Sequence, residues 1–340
     1  MSGIMQSLLG GSFSGGSSTI VVGHTTTPFI SAYPFAAGFG VKYSDPATLP
    51  ASDGISVAFN PTNSAIAVRT YDAPGQAVYP WSITGFGTRY ANPSTALPLY
   101  DGEVTFNPAG NTIAFSCHSS PPYQAVYTWS AGFGTKYANP ATSPAPASDV
   151  SFNSAGNVIA FSGTSTPYVD AYAWSSGYGT KYADPSTLPT GSGNGVAFNP
   201  AGTVIAVAHT ASPFISTYPW SAGFGTKYAN PATLPLSSGS GVKVAFNPAG
   251  DTIAISTNAS PFIAVYPWSA GFGTKYANPA TLPTTYGAEV VFDKTGSTIA
   301  IANGSPNYIN TYPWSAGFGT KYANPATLPT GACQSVAFSN

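Results

Sequence analysis

Apolar positions in this chain fall into short runs with two different rhythms, each closed by a Gly- or Pro-containing break. One unit, residues 195–235, shows the whole pattern. It opens with GVAFNPAG, where Val196 and Phe198 alternate with small Ala197. Alternation with a period of two predicts a half-buried strand. NPAG is a turn, because Pro fixes φ and Gly accepts a positive one. TVIAVA, residues 203–208, is a nearly unbroken apolar run, as in a strand buried on both faces. HTASP makes a second turn, and FISTYPW a third strand carrying aromatic rings. SAGFG breaks the chain again, TKYAN is a shorter fourth strand, and PATLP with a variable polar stretch leads onward.

The same text returns seven times. Its aromatic marker stands at Phe35, Trp81, Trp129, Trp174, Trp220, Trp268 and Trp314, at spacings of 46, 48, 45, 46, 48 and 46 residues. Four short antiparallel strands per repeat of this length predict the blade of a β-propeller. The chain begins inside a unit, with TIVVGHTTTPFISAYPF from Thr19, and ends on QSVAFSN, a lone first strand. The tail is thus expected to complete the blade that the head begins, closing a ring and removing two exposed edges. The expected fold is all-β: a seven-bladed propeller over residues 19–340, preceded by a separate peptide, residues 1–18.

The repeat resembles the WD40-like and YVTN-type propeller units. It departs from strict WD40 text, since no Gly-His precedes the first strand and Ser, not Asp, follows Trp220. The hydrogen-bond relay of that family is therefore not carried over. More loosely, the near-identical SAGFGTKYANPATLP repeats behind the head MSGIMQSLLGG resemble propellers carried by tailed bacteriophages. That resemblance implies a virion component.

Composition narrows the classes. Only 6% of residues are charged and the formal net charge is −1, so no basic patch for nucleic acid is evident. Aromatic content of 14% argues for a well-packed body rather than disorder. No apolar stretch approaches the roughly 20 residues that span a bilayer, and no membrane insertion is expected. Cys117 and Cys333 lie in different repeats, so no disulfide is expected between them.

Comparison of the units with one another sorts the remaining residues. Lys42, Arg89, Lys136, Lys181, Lys227, Lys275 and Lys321 share one position on the outer strand, where Lys discourages edge-to-edge pairing. The Tyr that follows each is expected to pack between blades. The Trp series and the first-strand Phe series (Phe59 to Phe338) are expected to fill the interblade wedge. Variation concentrates in two connections at one end of each blade, the usual place for binding specificity on a rigid scaffold. The candidate binding face comprises His24, Arg69, Tyr71, Asp72, Tyr100, Asp101, His118, Tyr123, His209, Lys243, Tyr286 and Glu289; neutral drift of surface loops is the competing explanation. The three histidines fall at the ends of second strands in alternate blades, too far apart for a ready metal site unless their side chains reach inward, and no catalytic triad, paired carboxylates or phosphate loop stands out. No catalytic residue, cofactor or metal is expected. In the head, Ile4, Met5, Leu8 and Leu9 form one apolar face ahead of a Gly/Ser tether, the pattern of a docking peptide.

Together these readings predict a non-enzymatic surface or appendage component of a tailed-phage virion, anchored by its head to other structural subunits, with the variable face outward. A host-surface glycan is a further expected partner. Its expected location is the virion surface after synthesis in the host cytoplasm, with an extracellular or cell-surface site as the alternative. A lectin-like glycan binder is the first rival, and a propeller enzyme, which clustered acids in the axial channel would favour, is the second.

Overall fold

The computed structural model describes residues 18–98, 101–236 and 243–339. Seven antiparallel sheets follow one another along the chain. Blade one combines Cys333–Phe338 from the tail with Ser18–His24 and Ile30–Phe35 from the head, and Ile20 pairs with Phe338. Blades two, three and four begin at Gly54–Phe59, Val104–Phe106 and Ala147–Phe152; blades five, six and seven begin at Gly193–Phe198, Val244–Phe246 and Gly287–Phe292. Each continues outward through a second and a third strand.

The second strands explain how the blades stack. In Val204–His209, Ile205 and Val207 face blade four, whereas Ala206 and Ala208 face blade six. The same split recurs in Thr298–Asn303, with Ile299 and Ile301 toward blade six and Ala300 and Ala302 toward blade one. A bulky face therefore meets a small one at these junctions, which lets the sheets approach closely at native packing density. Seven apolar clusters, one per junction, link every blade to the next and return to the first.

Aromatic rings seal the outer half of each junction. Trp220 meets Tyr182 of the preceding blade at 5.0 Å, and Phe198 and Phe224 of its own at 5.5 and 5.0 Å, all edge to face. One hydrogen bond repeats seven times alongside them: the third-strand Tyr hydroxyl donates to a Thr carbonyl of the PATLP segment before its blade, as in Tyr218 to Thr187 at 2.8 Å. The NPAG turns are held by the Asn side chain. Asn199 Oδ1 accepts from the amides of Thr203 and Val204, and Gly202 supplies the positive φ of 67°.

The fourth strand differs from the uniform expectation. It runs four residues in blades three and four and two residues in blade two; elsewhere only an isolated bridge remains, such as Trp220 to Phe224. The reason lies one residue before the Trp marker. Pro219 accepts from Gly225 through its carbonyl, so its nitrogen faces the same neighbour and has no hydrogen to donate. Blades three and four carry Thr128 and Ala173 there instead. The conserved rim cations pin this outer segment down by bonding three residues ahead, as Lys136 does to Asn139 at 2.8 Å and Lys181 to Asp184 at 2.7 Å.

Candidate functional site

First strands line the axis, and the residue just before their common Val forms a ring: Ser335, Ser56, Glu103, Asp149, Gly195, Lys243 and Glu289. In five blades a β-bulge sits immediately ahead of it. Gly287 pairs with Asn303 but Glu289 with Ala302, leaving Ala288 as the extra residue, and the same slip occurs at Ile55, Ser148, Asn194 and Gln334. A bulge turns consecutive side chains toward one side of the strand. The bulged residues accordingly line an upper cavity of about 340 Å³. Asp149 and Glu289 line a second cavity of about 310 Å³ below it, and Glu103 borders both.

Most ring members serve the scaffold. Ser335, Ser56, Asp149 and Glu289 each accept the Val amide of the following blade, at 3.0, 3.1, 3.0 and 2.8 Å. Glu103 does not, because Val150 N–H turns to Asp149 Oδ1 at 2.7 Å. Glu103 instead reaches nearly across the ring to Lys243, 2.6 Å from Nζ, with Asp149 Oδ2 at 3.7 Å from the same atom. This ion pair forms the floor of the upper cavity.

The electrostatics follow from burial. Burial pushes the Glu103 carboxyl up, and the Lys243 ammonium beside it opposes the shift. Glu289 is pushed up to about 8, by burial first and by the Glu103 charge second. Burial alone would lower Lys243, but Asp149, Glu103 and Glu289 outweigh it and raise it, so the ammonium stays charged. The ring thus combines a base held next to a cation with a carboxyl that keeps its proton at neutral pH.

The predicted binding residues separate into three groups. Asp101, His118, Lys243 and Tyr286 line the upper cavity together, with His118 Nε2 3.7 Å from Asp101 Oδ2, and Glu289 lies in the ring beneath. His24, Arg69 and His209 are not presented on the face. Each is wholly buried. His24 Nε2 bonds Ser31 Oγ at 3.1 Å and His209 Nε2 bonds Ser216 Oγ at 3.0 Å, and burial lowers both imidazoles to about 4. Arg69 donates to the carbonyls of Gly75 and Pro98, at 2.7 Å each. Tyr123 occupies a left-handed turn position, φ 65°, that recurs at Phe29, Tyr168, Phe214 and Phe262, and it packs against the junction of blades three and four. Tyr71 and Asp72 are exposed on a hairpin of blade two, outside the axial cavity linings. Tyr100 and the head residues Ile4, Met5, Leu8 and Leu9 lie outside the described residues. Among the described residues no cluster of three or more His, Cys, Asp or Glu is arranged to hold a metal ion, and no helix is long and apolar enough to cross a membrane. Cys117 and Cys333 are both buried and form no disulfide.

Glu103 and Asp149 lie outside the predicted binding face, yet with Glu289 they form the cluster of acids along the axis that a propeller enzyme is expected to carry. The available signal was the ring position itself, charged in four of seven repeats in a chain with 6% charged residues.

No family model and no curated protein sequence matches the chain. Solved structures do. The fold is shared with lactonase-named propellers. A "putative 6-phosphogluconolactonase" of Bacteroides fragilis superposes with a TM-score of 0.73 at 13% identity, covering 97% of this chain and 99% of that one. The periplasmic gluconolactonase of Pseudomonas aeruginosa gives 0.69 at 13% identity, covering 95% and 99%. A Bacteroides uniformis protein named like the first gives 0.69 at 14%, covering 95% and 99%. The resemblance to WD40, YVTN and phage propellers therefore reduces to the propeller fold itself. The expectation of a non-enzymatic virion component is overturned, because these neighbours, matched over nearly their whole length, bear the names of enzymes.

Proposed function

We propose that the chain hydrolyses a small cyclic ester at the floor of the upper axial cavity. The observation that carries this reading is the Glu103–Lys243 pair set across the axis, with Glu289 beside it. The names of the fold neighbours supply the ester class. In the proposed reaction, Glu103 takes a proton from water as the water oxygen bonds to the lactone carbonyl carbon. Lys243 Nζ stabilises the oxyanion that forms. Collapse breaks the bond to the ring oxygen, and Glu289 supplies the proton that this leaving oxygen needs. The product is an open-chain hydroxy acid, whose ionisation releases one proton, and the proton held by Glu103 passes to Glu289 to restore both groups. We place the protein outside the cytoplasm, in keeping with its low content of charged residues and with the periplasmic neighbour.

The test is proton release from glucono-δ-lactone in a pH-stat, with spontaneous hydrolysis subtracted. The full-length protein is expected to accelerate it, and Glu103→Gln to cut kcat/KM by about 100-fold or more, the usual scale for a general base. Absence of acceleration across a panel of five- and six-membered lactones overturns the proposal.

A further inference from the structure

The chain holds ten basic residues, and every one has a known place in the repeat. Seven are the rim cations. Arg69 is buried in its blade with its guanidinium committed to two carbonyls. Lys294 lies in the NPAG-type turn of blade seven, at the opposite end of the first strands from the upper cavity. Only Lys243 reaches the axis, and Glu103 and Asp149 already surround it. Against this one ammonium stand Asp101, Glu103 and Asp149 in the cavity and ring, besides the protonated and therefore uncharged Glu289 carboxyl. The single imidazole there, His118, faces Asp101. A phosphate monoester is usually held by Arg, by several Lys, or by a helix N-terminus, and the described residues around the axis offer none of these.

We infer that the site accepts lactones with uncharged ring substituents and discriminates against phosphorylated ones. The inference rests on the proposed lactone hydrolysis but concerns selection among substrates. A phosphate brought to this cavity meets a surplus of negative charge in a partly dehydrated space, where repulsion is stronger than in water. An uncharged sugar lactone has hydroxyls that can bond to the same carboxylates, to Tyr286 and to Asn194. Two of the fold neighbours are named for a phosphorylated lactone and one for gluconolactone; the charge around this axis suits the second.

The experiment compares kcat/KM for glucono-δ-lactone and 6-phosphoglucono-δ-lactone on the full chain at low and high salt. The neutral lactone is expected to be favoured at least tenfold, with the margin shrinking as salt screens the field. Asp101→Lys is expected to narrow the margin by improving the phosphorylated substrate. Equal or better hydrolysis of the phosphorylated lactone overturns the inference while leaving lactonase activity in place. If neither lactone is hydrolysed, calorimetric titration with the inert δ-lactam of gluconic acid and with its 6-phosphate decides separately. Binding of the neutral lactam alone supports the inference; tighter binding of the phosphate, or no binding of the neutral compound, overturns it.

Discussion

Two rings run through this molecule and they are built in opposite ways. The outer ring of Tyr-to-Thr hydrogen bonds is identical in all seven blades. The inner ring, one residue before the first-strand Val, holds five residue types in seven places. The outer ring has a single job, joining neighbours, so the same solution serves every junction. The inner ring faces a space shared by all blades, where one substitution suffices to change the chemistry of the whole axis. Symmetry is kept where blades meet in pairs and broken where all of them meet.

The largest expected effect comes from breaking the inner ring. Lys243→Met leaves Glu103 and Asp149 with no cation in a confined site, and loss of one partner of this partly buried pair costs at most about 3–5 kcal/mol, the scale for a fully buried one. Denaturant unfolding should show that loss, and lactone hydrolysis should vanish with it. The double variant Glu103→Gln, Lys243→Met removes both charges and should recover much of the stability without the activity. Failure of the double variant to recover would mean that the pair acts on packing rather than charge.

A second, smaller effect separates the rings by pH. Glu289 is pushed from an ordinary 4.5 to about 8. Between these values the folded protein holds a proton that the unfolded chain has released. The stability linked to this proton is complete at acid pH and is lost as pH rises toward 8. Glu289→Gln should flatten that decline. An equally steep loss of stability from pH 5 to 8 in the variant would show that Glu289 is not its source. The outer ring contributes nothing to this slope, because burial raises its Tyr hydroxyls far above the range.

The outer ring was the legible half. Its Tyr, Thr, Trp and Phe recur in every unit, and period-two text placed them in strands without knowledge of the third dimension. The inner ring was harder to read for a definite reason. Alternation predicts that Ala288 and Glu289 point to opposite faces, and likewise Ser148 and Asp149. The bulge at each site brings both toward the axis, and no residue type announces a bulge when the bulged residue is Ile55, Ser148, Asn194, Ala288 or Gln334. Lys243 and Glu289 stand out in the text as variable, but as parts of a loop surface rather than members of one cluster. His24 and His118 looked equivalent in the text. One residue of offset buries the first and leaves the second at the cavity wall.

A third prediction tests the sameness of the outer ring. Tyr218→Phe removes one interblade hydrogen bond and leaves the ring packing, a loss of about 1 kcal/mol. Tyr266→Phe should cost the same, because its bond to Thr233 differs by only 0.1 Å from that of Tyr218. Substitutions around the inner ring should instead give a different cost at each position. Unequal losses for the two Tyr variants, beyond a few tenths of a kcal/mol, would break the contrast on which the two-ring description rests.

The smallest effect concerns the one place where the scaffold itself varies. Pro219 presents a nitrogen without hydrogen to the outer segment of blade five, and that segment forms a single bridge. Thr128, at the equivalent site in blade three, accompanies a regular fourth strand, Phe133–Lys136. Pro219→Thr restores the donor, which favours pairing, but it also frees the unfolded chain from a fixed φ, and the two contributions oppose each other at about 0.5–1 kcal/mol each. Net stability should therefore barely change. The structural readout should change more: amide exchange at Thr226 and Lys227 should slow toward that of Thr135 and Lys136. Unchanged exchange would place the origin of the regular fourth strand elsewhere in blades three and four. It would also leave the outer edge, like the axis, as a region where repeats of nearly the same text fold differently for reasons beyond one residue.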